Sequence, residues 1–183
     1  IAAGGAGDDF LSGGGGDDRL AGDAGDDIII GGAGDDLIFG GSGDDHLRPG
    51  AGRDIVLDSS GDEDYVLEPP AGHSRVLDFA GEDSLTIGGA GVDPEDLTFT
   101  RERGDLLVEV SDGRALTFKH FFANARFRIE RIALEDGRML EAARIETYLA
   151  NLAATAAGTQ DLAQTAALDG LGEPDLSWTL PMT

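Results

Sequence analysis

Five uninterrupted copies of a nine-residue phrase begin this chain: GGAGDDFLS at Gly4, GGGGDDRLA at Gly13, GDAGDDIII at Gly22, GGAGDDLIF at Gly31 and GGSGDDHLR at Gly40. A sixth, PGAGRDIVL, follows in phase from Pro49. Asp9, Asp18, Asp27, Asp36, Asp45 and Asp54 hold the sixth position of these phrases, and Leu11, Leu20, Ile29, Ile38, Leu47 and Val56 the eighth. So strict a period restricts the segment to a stack of identical small units. The glycine-rich half of each phrase suits a tight turn whose backbone must be closely approached. The last three residues make a minimal strand with its middle side chain turned to a core. One unit cannot bury that side chain alone, and stacked units can.

Stacking also lines up the aspartates. Two unit charges about 4–5 Å apart, the spacing of paired strands, repel by roughly 3–4 kcal/mol at an effective dielectric of 20. A cation must therefore lie among them. Calcium accepts six to eight oxygens in irregular geometry, whereas magnesium demands a near-ideal octahedron and holds its water. A solvated acidic linker would have a similar composition. Disorder, however, gives no reason for an apolar residue at a constant offset from a constant aspartate.

The phrase resembles the GGxGxDxUx nonapeptide of the repeats-in-toxin (RTX) family, the haemolysin-type calcium-binding repeats. That resemblance implies an all-β fold: a right-handed parallel β-roll, two nonapeptides per coil, followed by a β-rich cap and a short helical or disordered tail. It implies several calcium ions, each between phrases one coil apart. The paired carboxylates would be Asp9 with Asp27, Asp18 with Asp36, Asp27 with Asp45, and Asp36 with Asp54. Turn glycines would add carbonyl ligands: Gly5, Gly7, Gly14, Gly16, Gly22, Gly25, Gly31, Gly32, Gly34, Gly40, Gly41, Gly43 and Gly52. The fifth-position residues Asp8, Asp17, Asp26, Asp35 and Asp44 are expected to point outward and bind little. Arg53 replaces the fifth-position carboxylate while Asp54 keeps the sixth, in line with that division.

Beyond Leu57 the period loosens. Asp64, Ser74 and Asp83, each followed two places on by Val66, Val76 or Leu85, are read as degenerate further rungs at spacings of ten, ten and nine. On this register Asp64 pairs with Asp45, and the rung at Ser74 lacks its carboxylate. Pro69 and Pro70 mark a loop. The expected division is a calcium-binding roll over 1–87, a capping module over 88–139 and a C-terminal helix with a flexible tail over 140–183.

From Leu97 glycine thins and strands are expected at Leu97–Thr100, Leu106–Val110 and Ala115–Phe118. Turns fall at Gly104-Asp105 and Asp112-Gly113, and a further hairpin turns at Asp136-Gly137. This order resembles the cap after the last repeats of adenylate-cyclase-toxin-type RTX proteins. Phe118, Phe121, Phe122 and Phe127 form the dense aromatic cluster, read as cap core rather than a receptor contact. His46, His73 and His120 have no spaced partners that suggest a catalytic or transition-metal site, and no enzymatic activity is expected.

Residues 141–157, EAARIETYLANLAATAA, read as a helix with Ile145, Leu149 and Leu152 on one face and Gly158 as its stop. No Lys or Arg follows Arg144. That Ala/Thr/Leu-rich end, beside such repeats, resembles the uncleaved signal read by Gram-negative type I secretion machinery. A secreted, extracellular location follows from the resemblance. The chain opens at Ile1 inside a repeat-like phrase without a visible signal peptide, so a longer protein is expected upstream. The net charge of −23, with only Arg19, Arg48 and Arg53 as Lys or Arg before Tyr65, argues against nucleic acid and anionic lipid as partners. Cysteine is absent, so no disulfide framework stabilises the fold.

The function these features support is a calcium-binding module of a secreted Gram-negative protein, unfolded without calcium and folded by it after export. A toxin is the expected whole. The alternatives are a calcium-stabilised adhesin or receptor-binding module, or the accessory domain of a secreted hydrolase.

Overall fold

Nine residues carry the backbone halfway round one coil, so successive phrases alternate between two sheets and phrases 18 residues apart lie in contact. The structure, a computed structural model, describes residues 1–123, 129–141, 143–147 and 149–150. Strands β1 (Ala2–Ala6), β3 (Arg19–Ala24), β5 (Leu37–Ser42), β7 (Ile55–Leu57) and β9 (His73–Leu77) stack in parallel to make most of one sheet. Strands β2 (Phe10–Gly15), β4 (Ile28–Ala33), β6 (His46–Ala51), β8 (Asp64–Leu67) and β10 (Asp83–Ile87) make most of the other. This is a parallel β-roll, as the repeat requires.

The eighth-position side chains face each other between the sheets. Leu11, Ile29, Leu47, Tyr65 and Leu85 rise in one column, and Leu20, Ile38, Val56 and Val76 in the other, all buried. The core is therefore one side chain deep from each sheet. A β-branched or leucine residue fills it without a partner from its own unit, which is why no isolated phrase could be stable.

The register past Leu57 differs from the sequence expectation. Tyr65 pairs with Leu47, so Tyr65, not Val66, takes the core position, and Glu63 rather than Asp64 stands sixth in its phrase. The coil lengthens to 20 residues, but both extra residues enter between Tyr65 and Ser74, around Pro69 and Pro70, rather than one in each half-coil. A loop that cannot donate ladder hydrogen bonds accommodates an insertion where a paired strand does not.

Both growing sheets would end in an open edge at β9 and β10. Strands from the C-terminal half of the chain cover those edges. β13 (Ala115–Phe118) pairs in parallel with β9, and β11 (Leu97–Glu102) and β12 (Asp105–Val110) extend that sheet as an antiparallel meander. β14 (Ile129–Leu134) pairs in parallel with β10, and β15 (Met139–Glu141) folds back on β14. The core columns continue into Phe118 and Ile132, aligned with Val76 and Leu85. Phe118 meets Tyr65 edge to face at 5.7 Å, and Phe121 is fully buried with Phe122 against it. Arg114 ties the cap to the roll. Its Nη1 donates to the carbonyls of Leu67 (2.9 Å) and Gly88 (2.7 Å), and its Nε to Asp112.

Residues 143–147 are helical; Ile145 is buried and Leu149 packs on the core. Phe127, Leu152, Gly158 and the sequence read as a secretion signal lie outside the described residues.

Candidate metal centre

Asp27, Asp36 and Asp45 divide their two oxygens between two tasks, and Asp54 shares the first of them. One oxygen ties coils together: Asp27 Oδ1 accepts the N–H of Asp9 at 2.7 Å, Asp36 Oδ1 that of Asp18 at 2.8 Å, Asp45 Oδ1 that of Asp27 at 2.8 Å and Asp54 Oδ1 that of Asp36 at 3.0 Å. The pairs expected from the sequence are thus neighbours through backbone and side chain. The other oxygen turns inward to the glycine turn. In Asp27, Asp36 and Asp45 this Oδ2 is buried without any hydrogen-bond donor. A buried carboxylate oxygen left without a donor or cation loses its solvation with nothing in return.

What else converges there is shown by the space around the first-position glycines. A methyl group placed on Gly4 would stand 2.7 Å from Asp9 Oδ2 and 2.9 Å from the Gly22 carbonyl. On Gly13 it would stand 2.8 Å from Asp18 Oδ2 and 2.5 Å from the Gly31 carbonyl. The same crowding recurs at Gly22 with Asp27 and the Gly40 carbonyl, and at Gly31 with Asp36 and the Pro49 carbonyl. A free carboxylate oxygen and a carbonyl oxygen from the next coil therefore meet over each of these four glycines. Uncharged and anionic oxygens gathered without a donor suit a hard cation, and calcium above all.

The positive-φ glycines are also required for a steric reason. Gly5, Gly7, Gly14, Gly16, Gly25, Gly32, Gly34, Gly41, Gly43 and Gly52 all adopt left-handed backbone, with φ from 90° to 136°. From Gly25 onward each lies against the backbone of the equivalent residue one coil earlier, so these turns stack with no room for a Cβ. Gly22, Gly31 and Gly40 are absent from the left-handed set and instead flank the free aspartate oxygens. Sequence reasoning named these three for their carbonyls but missed Gly4, Gly13 and the Pro49 carbonyl, which the same phase would have supplied.

Asp64 lies elsewhere. It begins β8 opposite His46, with its carboxylate 3.1 Å from His46 Nδ1 and accepting the hydroxyls of Ser84 and Thr86. Against burial, these partners hold its carboxyl below its ordinary range, and the Asp64 carboxylate in turn holds the His46 imidazole above its own. Asp64 is therefore an outer-face ion-pair residue, one position past the ring of inward carboxylates. The fifth-position aspartates are exposed, as expected, yet each is tied in. Asp8, Asp17, Asp26 and Asp35 accept the N–H of Asp26, Asp35, Asp44 and Arg53 one coil on, at 2.9–3.0 Å.

The electrostatics follow from the stacking. Burial pushes the Asp36 and Asp45 carboxyls upward, Asp45 to about 6, and neighbouring aspartates add to the rise while a backbone N–H opposes it. Without a cation, the wound state resists holding these groups charged.

Residues 1–29 and 22–56 match the family model for the RTX calcium-binding nonapeptide repeat, in four copies. No curated protein matches the chain. The segment 1–56 thus carries RTX calcium-binding repeats, wound as a β-roll, and the cofactor of those repeats is calcium.

Proposed function

We propose that this chain is the calcium-operated folding module of a secreted bacterial protein: unwound where calcium is scarce, wound where it is abundant. The observation that carries the reading is the row of buried, donorless Oδ2 atoms on Asp27, Asp36 and Asp45, each facing a carbonyl or carboxylate oxygen of the next coil. Without a cation these oxygens oppose winding. Each nonapeptide buries one apolar residue of the core, too little to offset the ordering of nine. With calcium, the aspartates and turn carbonyls of adjacent coils hold the ions jointly, so coil closure and ion binding become one equilibrium. Extracellular modules bind calcium with Kd of roughly 10⁻⁴–10⁻³ M. At ten times Kd each site adds about 1.4 kcal/mol by mass action.

Such a module suits export as an extended chain. The lysine- and arginine-free end after Arg144, read from the sequence as a type I secretion signal, supports that use. The upstream cargo is read as a toxin because the strand order after Leu97 resembles the adenylate-cyclase-toxin type of cap. The chain's own role is binding and folding, not chemistry.

Circular dichroism during a calcium titration tests the core of this reading. A spectrum poor in β structure in chelator should convert cooperatively to a β spectrum in millimolar calcium. A β spectrum unchanged by chelator would sink it.

A further inference from the structure

The two edges of the roll end differently. At one edge the first-position residues run Gly13, Gly31, Pro49, Leu67, and the last inward carboxylate, Asp54, receives the Ser74 hydroxyl on Oδ2 at 2.8 Å. That edge closes with protein groups. At the other edge the first-position residues run Gly4, Gly22, Gly40, Asp58, Asp78, and the sixth-position residues Asp9, Asp27, Asp45, Glu63, Asp83. Where the earlier coils place a carbonyl over the first-position glycine, Asp58 places a carboxylate oxygen over Gly40, against Asp45 Oδ2.

Two groups of carboxylates result: Asp45, Asp58 and Glu63, and Glu63, Asp78 and Asp83. In each, one oxygen per residue lies within 4.8 Å of the others. All five residues are buried, Glu63 with 1% of its surface exposed and Asp83 with none. Both oxygens of Glu63, and Oδ2 of Asp45, Asp58 and Asp83, have no hydrogen-bond donor. Among the described residues none of the five forms an ion pair with a basic side chain. The hydrogen bonds that do exist orient the group: Asp27 N–H to Asp45 Oδ1, Gly41 N–H to Asp58 Oδ1, Glu63 N–H to Asp83 Oδ1, Ala80 N–H to Asp78 Oδ1, and the Tyr65 hydroxyl to Asp78 Oδ2 at 2.6 Å. Five carboxylates with no counter-charge cannot remain buried and ionised unless cations lie among them.

We propose that Asp45, Asp58, Glu63, Asp78 and Asp83 hold two calcium ions in adjoining compartments bridged by Glu63, the second built wholly from residues outside the segment that matches the repeat family. Two divalent ions against five carboxylates leave a net charge near −1, whereas the glycine-turn sites use one neutral carbonyl where these use a carboxylate. Ligand charge count tunes calcium affinity, so these compartments fill at lower calcium than the nonapeptide sites. The inference rests on the reading of the chain as a calcium-wound roll.

The test counts ions on the full chain at saturating calcium by equilibrium dialysis, for wild type, Glu63→Gln and Asp78→Asn. Glu63→Gln should bind about two fewer ions and Asp78→Asn about one fewer, while exposed Asp62→Asn should lose none. Terbium supplies a second readout. Tyr65 is bonded to Asp78, so tyrosine excitation should give sensitised terbium emission that Tyr65→Phe largely abolishes. Unchanged stoichiometry in both carboxylate variants, or emission indifferent to Tyr65→Phe, overturns the proposal. Should Glu63→Gln fail to wind, Asp78→Asn and the terbium signal decide. A wild type that does not respond to calcium by circular dichroism indicts the parent reading instead. A wild type that winds while its variants keep every ion indicts this one alone.

Discussion

A single added methyl group distinguishes the two kinds of glycine in the turns. On Gly22 it would meet Asp27 Oδ2 and stand 2.6 Å from the Gly40 carbonyl, the two oxygens of the proposed ion site. Gly22→Ala should therefore abolish one calcium per chain and raise the calcium midpoint several-fold, as read by dialysis and circular dichroism. Gly15 has open space and no left-handed φ. Gly15→Ala should leave the ion count unchanged and stabilise the wound chain by about 0.4–1 kcal/mol through the unfolded state. The carboxylates offer a parallel contrast. Asp27→Ala should raise the calcium midpoint far more than Asp26→Ala, because Asp26 serves only the N–H of Asp44 from an exposed position. Equal midpoints would place the ligands on the wrong carboxylate. At this scale the period itself exposed Asp9 to Asp54, since a constant offset survives any reading. Asp64 misled because the letter D one place late outweighed the spacing, which points to Glu63. The first-position glycines are required for the space they leave, and no conformational preference advertises that.

At the scale of elements, the cap strands were readable from alternation and turn residues: β13 coincides with its expected range, and β11 and β12 extend theirs slightly. The parallel docking of β13 on β9 was not readable, because residues 97–118 are locally a meander and nothing local names the partner of β13. Besides the strand ladder, Arg114 ties the cap to the roll. Arg114→Lys keeps the charge but cannot bridge the Leu67 and Gly88 carbonyls while engaging Asp112, and should cost about 1–3 kcal/mol in thermal unfolding at saturating calcium. The β12 start carries a pH-sensitive clamp. Burial pushes the Asp105 carboxyl up, but Lys119 and the His120 N–H more than offset it, and the net shift is downward. A lowered folded-state value stabilises above the unfolded value near 3.8 and is lost as pH falls through the folded one. The difference in thermal midpoint between wild type and Asp105→Asn should hence shrink as pH drops from about 6 to about 3. A constant difference would mean the carboxylate charge contributes nothing to the clamp.

The whole molecule is a stack whose last coil is finished by other strands. Deleting the chain from residue 91 onward would expose the edges of β9 and β10 together with Val76, Leu85 and the ring of Tyr65. Such a truncation should need more calcium to wind and should associate edge to edge, measurable by light scattering beside the calcium titration. The solenoid plan was legible because repetition is a global property written locally; the capping of both sheets was not, because it joins residues far apart in sequence. One dimension of the plan reaches further. Eighteen residues form a coil; drawn out they span roughly 60 Å, and wound they climb only about 4.8 Å, the distance between neighbouring strands. On the proposed calcium-wound reading, uptake of ions contracts the tether about twelvefold in length. Tension between the ends and calcium in the medium must then trade against each other, so a stretched molecule needs more of the ion to stay coiled, and a coiling one can do work on whatever it is attached to.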